Sequence, residues 1–420
     1  MVDKFSLPDI TIKDLLRAIP PECYHRSAIK SSQYVAQNVL LSVVLVLGSE
    51  RISPLSEAVE MKYGHYLSLL FSILLWSAFW FVQGLSWTGL WVIAHECGHY
   101  AYSSNKSVNN AVGYVLHTFL LVPYHSWRVS HSQHHSGAGH MHRDQVFVPR
   151  TRSATGAEKL NYEDADENII DGVDVPHEEQ SRLAEMVEDA PLAILLNLFI
   201  QQLLGWPLYL LINASGQPHY PKWTNHFNPR SVIFDKRHFG QIVASDVGVA
   251  AVLAGLYVWG KQRGFTEVVF HYVVPYLWVN CWLVSITFLQ HTHPAVPHYR
   301  DGLWNFQRGA LCTIDRSFLG PIGKYILHGI CETHVAHHIS SKIPHYNAWK
   351  ATDALKDFLG AHYNSSDDNF FKALYSTYRD CVFVEDKGDI VFYKDGRGRA
   401  KRVADVKVPS EASDSGVDLQ

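Results

Sequence analysis

The hydrophobic residues of this chain fall into blocks. Residues 35–48 and 67–94 carry no charged side chain. Three later stretches, 191–212, 242–260 and 268–289, are almost as apolar, with Asp246 interrupting the second of them. A membrane-spanning helix needs about 20 such residues, so the first block is short, the second has length to spare and the others fit. A further run, 111–124, is too short to span and predicts a re-entrant or interfacial segment. The polar regions between the blocks differ in kind. Residues 150–189 are rich in Asp and Glu without helical or strand periodicity, which predicts a solvated loop or lid. Residues 291–380 mix polar and apolar positions as soluble helices do, and residues 382–393 alternate around Lys387-Gly388 like a small hairpin. From about 405 the chain is acidic and Ser-rich, the composition of a disordered tail. Residues 1–33 are charged throughout, so the first apolar run comes too late for a cleaved signal peptide.

Composition narrows the function classes. With 36 basic against 40 acidic residues there is no polybasic patch for nucleic acid. The 12 Trp and 21 Tyr suit a chain with membrane interfaces. Cys23, Cys97, Cys281, Cys312, Cys331 and Cys381 are scattered with no CxxC pair, which argues against a disulfide framework or a zinc ribbon. The anomaly is 25 histidines.

Many of them form three boxes: His95-Glu96-Cys97-Gly98-His99, His131-Ser132-Gln133-His134-His135 and His334-Val335-Ala336-His337-His338. Residues three and four apart share one face of a helix, so each box aims two or three imidazoles in one direction. Together the boxes supply eight nitrogens. That is too many for one tetrahedral zinc and suits two metals of four or five nitrogens each. A ninth ligand is expected in Gln290-His291-Thr292-His293, where the last apolar run ends. Imidazole alone leaves iron, copper, zinc and nickel open. His125, His140, His142, His298, His328 and His345 lie near the boxes and are candidates for outer partners or further ligands. His25, His65, His117, His219, His226, His238 and His271 receive no role. The first box also reads as the His-Glu-x-x-His signature of a zinc metalloprotease, with Glu96 as general base. That rival uses two histidines and leaves the other boxes unexplained.

Ligands from all boxes must meet on one side of the bilayer. Two crossings precede the first box, so the N-terminus lies on the side of the boxes. Three apolar stretches separate the second box from the third, so one of them must not cross. The choice falls on 191–212, because Gln201, Gln202, Gly205 and Pro207 suit an interfacial or broken helix. The expectation is an all-α integral membrane protein: four transmembrane helices carry a cytosolic helical cap with a histidine-rich di-metal site, and both termini are cytosolic. The segments run 1–33 (N-terminal segment), 34–94 (first hairpin), 95–190 (cap with two boxes), 191–212 (interfacial helix), 242–290 (second hairpin), 291–404 (cap with the third box) and 405–420 (tail). Lys261 and Arg263, in a loop placed on the far side, run against the positive-inside tendency.

The boxes in their settings, AHECGHYAYS from Ala94, WRVSHSQHHSGAGHMHRDQVFVPR from Trp127, FLQHTHPAVPHY from Phe288 and ETHVAHHISSKIPHYNAWKA from Glu332, resemble the membrane-bound fatty acid desaturases, in particular their fungal oleate Δ12 branch. The resemblance runs from about residue 20 to about 400 and is most specific at the boxes. It implies a four-helix stem under a cytosolic cap with a di-iron centre held by His95, His99, His131, His134, His135, His334, His337 and His338. His291 matches the additional ligand, ahead of His293. Glu96 would stand behind the ligands, and Arg143 and Asp144 would form an ion pair near them. Tyr100 departs from the pattern, where a smaller or more polar side chain is expected. The implied reaction uses dioxygen to place a cis double bond at Δ12 of an oleoyl chain, in the endoplasmic reticulum membrane. No His-Pro-Gly-Gly segment of a fused cytochrome b5 is present, so electrons would come from a separate cytochrome b5 and its NADH-dependent reductase. Δ15 desaturation, hydroxylation and acetylene formation remain alternatives within the same family.

Overall fold

The computed structural model describes residues 3–155 and 191–405. Most of the expected acidic loop over 150–189, and all but the first residue of the expected tail from 405, lie outside the described residues.

Two long helical hairpins form the stem. The first runs up through Ala28–Ser49 and Ile52–Tyr63, turns at Gly64 and returns as His65–Gly98. Gly64 sits at φ +88°, a conformation open to glycine at little cost. The second runs through Phe239–Arg263, turns at Gly264 (φ +97°), and returns through Phe265–Val268, a π-helical turn at Val269–Val273, and Val274–His291. The irregular turn has a local cause: Pro275 has no N–H to offer the carbonyl of His271. Among the described residues, five helical runs are long and apolar enough to cross a membrane: Ala28–Tyr63, His65–Gly98, Pro191–Ile212, Lys236–Arg263 and Phe265–His291. Their outer faces expose Leu40, Val44, Leu47, Leu70, Leu74, Val247 and Leu253, as a lipid-facing surface requires.

The two return helices pack side by side and run parallel. Trp76 and Trp80 meet Phe270, Gly84 meets Trp278, and Phe81 meets Trp282. A Cβ on Gly84 would come within 2.3 Å of the Trp278 Cβ, so this close approach needs glycine. Parallel packing brings His95 and His291, at the C-terminal ends of the two helices, to the same end of the stem. Polar contacts fix the register of the first hairpin. Ser86 Oγ donates to the Asn38 carbonyl (2.9 Å), and Ser68 Oγ to the Ser56 carbonyl (2.7 Å).

The short run expected near 111–124 folds as an amphipathic helix, Lys106–Phe119, capped by the Asn105 side chain. Tyr124–Gly137, which carries the second box, follows directly. Pro191–Ile212 crosses the last turns of the second return helix: Gly205 faces Val284, Gln202 accepts from Ser285 Oγ (2.7 Å), and Tyr209 donates to Ser130 Oγ (3.3 Å).

The cap gathers segments distant in sequence. Ile12–Ala18 packs on His345–Leu359 through Leu15, Ile19, Ala351 and Leu355. Asp3–Phe5 pairs in parallel with Arg402–Ala404. The expected hairpin over 382–393 is only partly realised. Phe383 faces Lys394, but Ile390–Val391 pairs with His298–Tyr299 instead of closing on its own arm.

Candidate metal centre

The first box occupies the last turn of His65–Gly98, with His99 at the C-cap. The second lies in the last turns of Tyr124–Gly137, and the third fills the short helix His334–Ile339. Six residues make a weak helix alone. This one is held from outside: Asp315 Oδ1 accepts the Val335 N–H (2.8 Å), a carboxylate at a helix N-terminus, and Tyr363 OH donates to the other oxygen.

All nine predicted imidazoles come together, in two groups. His95, His99, His131, His135 and His337 each place one ring nitrogen within 4.8 Å of the others, and so do His134, His291 and His338. His334 joins the second group, its Nε2 lying 3.0 Å from His291 Nε2. Helix geometry explains the division. Residues four apart differ by about 40° around a helix, whereas the middle histidine of an HxxHH box stands about 60–100° away. So His131 and His135 serve the first group and His134 the second, while His334 and His338 serve the second and His337 the first. His293 joins neither group; its Nδ1 accepts the Ala295 N–H (3.2 Å).

The donor set fits metal ions better than it fits itself. His135 Nε2 lies 3.1 Å from both His131 Nε2 and His337 Nε2, where one ring proton could serve only one partner. Two nitrogens bound to a common ion at right angles would stand about 3 Å apart. His99 Nε2, His134 Nε2 and both nitrogens of His338 are buried without a hydrogen-bond partner, the condition a metal would relieve. Burial, and then the neighbouring imidazoles, hold His131, His135, His334 and His338 well below the ordinary histidine range. Burial, with His134, pushes His337 down to about 3. All are therefore neutral at pH 7, with lone pairs free to bind.

Behind the ligands stand residues of two kinds. Asp144 Oδ1 accepts from His134 Nδ1 (2.6 Å), which turns His134 Nε2 toward its group. The expected Arg143–Asp144 ion pair does not form. Neighbours in sequence point apart, and Arg143 reaches Asp301 (3.5 Å) and lies over the Trp304 ring. Glu96 accepts from the His345 backbone N–H (2.5 Å) and from His345 Nδ1 (2.8 Å). Both its oxygens are thereby turned to His345, and Glu96 does not line the large cavity described below, where a zinc protease would need its general base. Tyr100 sits at φ +59°, its hydroxyl accepting from Arg128 (2.6 Å), and does not line the large cavity described below. His117 and His226, given no role by sequence, prove buried beside the boxes. His117 Nε2 donates to the Trp91 carbonyl, and His226 meets Ser130 Oγ (3.1 Å). Asp315, Tyr363 and His226 had no local signal, since each acts on a residue far away in sequence.

A cavity of about 980 Å³ borders both groups, at His95 and His131 on one side and His134, His291 and His334 on the other. Its volume is at the upper end of the roughly 300–1,000 Å³ typical of ligand pockets. Away from the imidazoles it is lined by Trp91, Trp206, Tyr209, Leu283, Thr287 and Phe147 among others. Trp127 stacks on His131 at 4.5 Å and Trp91 on His95 at 5.7 Å, so aromatic faces flank the ligand rings where they meet the cavity.

A sequence profile described as fatty acid desaturase matches residues 73–368. A Δ12 fatty acid desaturase of Mortierella alpina is 46% identical over 390 residues, covering 93% of this chain and 92% of its own length. An oleate hydroxylase of Claviceps purpurea is 41% identical over 93% of this chain and 82% of its own. A Δ12 fatty acid desaturase of Arabidopsis thaliana is 38% identical over 92% of each chain. With membrane-length helices, two clustered imidazole groups and a large, mainly apolar cavity alongside them, the match over most of its length establishes that this chain belongs to the fatty acid desaturase family.

Proposed function

We propose that the protein is an acyl-chain Δ12 desaturase that converts an oleoyl to a linoleoyl chain at a di-iron centre, in the endoplasmic reticulum membrane with both termini cytosolic. The observation that carries this reading is the contact of both imidazole groups with one apolar cavity. The Δ12 regiochemistry comes from the relatives so named. His95, His99, His131, His135 and His337 would hold one iron, and His134, His291, His334 and His338 the other. When bound, the pair supplies activation of dioxygen and removal of two hydrogens from adjacent methylenes. The acyl chain gives two electrons, an external donor gives two more, and dioxygen leaves as two waters. A separate cytochrome b5 with its NADH-dependent reductase is the donor this reading assigns.

The chain's own residues bind and orient. Leu283, Phe147 and the aromatic faces of Trp91 and Trp206 bury the acyl chain and exclude water. Thr88 and Thr287 line the cavity with their hydroxyls already donated to the Gly84 and Leu283 carbonyls. They therefore present no free donor to a hydrocarbon. Asp144 fixes the tautomer of His134. The segment division predicted above is retained, with 191–212 lying along the membrane interface; its contacts with Val284, Ser285 and Ser130 support that placement. A hydroxylase is the second reading, favoured by relatives named oleate hydroxylase. Expression in a yeast without linoleate, followed by gas chromatography, tests both: 18:2 is expected, hydroxylated 18:1 would favour the second, and an unchanged profile with folded, iron-loaded protein would refute both.

A further inference from the structure

Beside the acyl cavity, and sharing Val92, His95 and Ile330 with it, lies a second, much smaller one. It measures about 20 Å³ and is bounded by His95, Glu96, His328, Thr333, His337 and His345, with Val92, Ile330, Ala336, Ile343 and Ala348 closing it. Space for about one probe sphere, roughly 10–15 Å³, is enough for one water, provided that two to four polar groups receive it. Two buried nitrogens on this lining have no hydrogen-bond partner: His95 Nδ1 and His345 Nε2. Their chemistry is complementary. If His95 binds metal through Nε2, its Nδ1 carries the proton and must donate. His345 donates its Nδ1 proton to the Glu96 carboxylate (2.8 Å), which leaves Nε2 as an acceptor. His328 adds a third group. Its Nε2 accepts from Asn38 Nδ2 (3.2 Å), so its Nδ1 carries the proton. The Thr333 hydroxyl is already given to the Gly329 carbonyl.

We propose that this cavity holds one ordered water that accepts from His95 Nδ1–H and donates to His345 Nε2, so that His345, held by Glu96, is a positioning residue for the five-imidazole metal site. The inference rests on the reading of His95 as a metal ligand. The relay explains why a carboxylate stands at Glu96, since its two oxygens accept both N–H groups of His345 and fix that ring's tautomer. In Glu96→Gln the amide offers one acceptor and one donor to the same two N–H groups. The ring is driven to the other tautomer, and the water loses the Nε2 acceptor to which it donates. In His345→Phe the ring volume remains and both nitrogens are lost.

The test uses full-length protein loaded anaerobically with ferrous iron, and reads iron retained per chain during exposure to a chelator. The thermal midpoint of the iron-free protein is read in parallel. In both variants one of two irons should be held about 10–100-fold more weakly, the usual effect of losing an outer partner of a ligand histidine, while the other iron stays close to wild type and the iron-free midpoint falls by no more than the cost of one buried unsatisfied polar group. Wild-type retention in both variants overturns the relay, as does equal loss of both irons with a lowered iron-free midpoint. His95→Ala separates the two levels. If it keeps both irons, the ligand reading itself fails; if it loses one while His345→Phe loses none, only the relay fails. Should the variants not fold, a density map of the wild-type iron-loaded protein decides. Water between His95 Nδ1 and His345 Nε2 is expected, and a dry cavity refutes the proposal.

Discussion

Replacing Asp144 with Asn changes one oxygen to an amide and leaves the shape intact, yet it should disable the four-imidazole group. Asp144 is buried, and its two oxygens receive three donors: His134 Nδ1 (2.6 Å) and the Val146 N–H (3.1 Å) on Oδ1, and the Gly139 N–H (3.1 Å) on Oδ2. An asparagine has one acceptor oxygen. Turned one way, its NH₂ confronts the Gly139 N–H; turned the other, it confronts His134 and Val146. Each arrangement leaves a buried donor unsatisfied, which costs about 1–3 kcal/mol. For a large chain that corresponds to a fall in thermal midpoint of roughly 2–10 °C. The effect on metal is separate. The carboxylate's charge strengthens the bond to His134 and holds its tautomer, and losing such a partner typically weakens metal binding about 10–100-fold. Purified Asp144→Asn should therefore retain close to one iron per chain under chelator where the wild type retains two, and 18:2 per unit protein in yeast should fall at least tenfold. Wild-type iron content together with wild-type 18:2 would refute the assignment of Asp144 as the residue that orients His134.

His291→Ala should abolish 18:2 formation while the protein still accumulates, because His291 Nε2 lies 3.0 Å from His334 Nε2 inside the second group; His293→Ala should keep most activity, and the reverse result would show the ninth ligand wrongly chosen. Burial pushes His226 down to about 4 from an ordinary value near 6.5. The unfolded chain therefore takes a proton below 6.5 that the folded chain refuses. Stability is full above that value and declines as pH falls toward 4, by about 3 kcal/mol in total from this residue. The thermal midpoint of His226→Asn should accordingly fall less steeply over that window than that of the wild type, and parallel curves would contradict it. Glycosylation acceptors on short linkers at Gly64 and Gly264, the turns of the two hairpins, should be modified in microsomes, and one at Gly388 in the cap should not; modification at Gly388 would reverse the assigned sidedness.

Hydropathy contrast makes the long helices legible, since a lipid-facing helix must be apolar all round. The expected runs 67–94, 191–212 and 242–260 are each contained within a helix, and 268–289 within the continuous helical run Phe265–His291, none of which extends more than four residues past them. The first run, 35–48, covers less of its helix because the opening turns, from Ala28 under the Ser27 cap, lie in the cap and are polar. The ligands are legible because two metals need many nitrogens and histidines at helical spacing announce a shared face. What holds the ligands is not. Asp315 acts on a helix that begins 19 residues later, and Glu96 on a residue 249 positions away. No local pattern marks such contacts. Adjacency even misleads: Arg143 beside Asp144 suggests a pair, but neighbours do not face one another, and each finds its partner elsewhere.

Nine imidazoles as the whole donor set raise a question of charge. They would hold two dications without contributing a single negative ligand, in a site largely closed to water. The fold answers in two ways. First, three helices end at the centre by their C-termini. His95 and His99 close His65–Gly98, His134 and His135 lie in the last turn of Tyr124–Gly137, and His291 ends Val274–His291. A helix C-terminus carries roughly half a negative charge, and each stabilises a nearby cation by about 0.3–2 kcal/mol depending on burial. Second, two carboxylates stand behind the ligand histidines: Asp144 directly behind His134, and Glu96 a step further away, behind His345, which is not one of the nine. Parallel packing of the return helices makes the first arrangement possible, because it delivers two C-termini to the same end of the stem. The carboxylates then add negative charge near the imidazoles without belonging to the donor set. A helix reversed in that stem would carry its imidazoles to the site with the opposite sign of field, so the topology of the membrane hairpins and the electrostatics of the metal centre are one constraint.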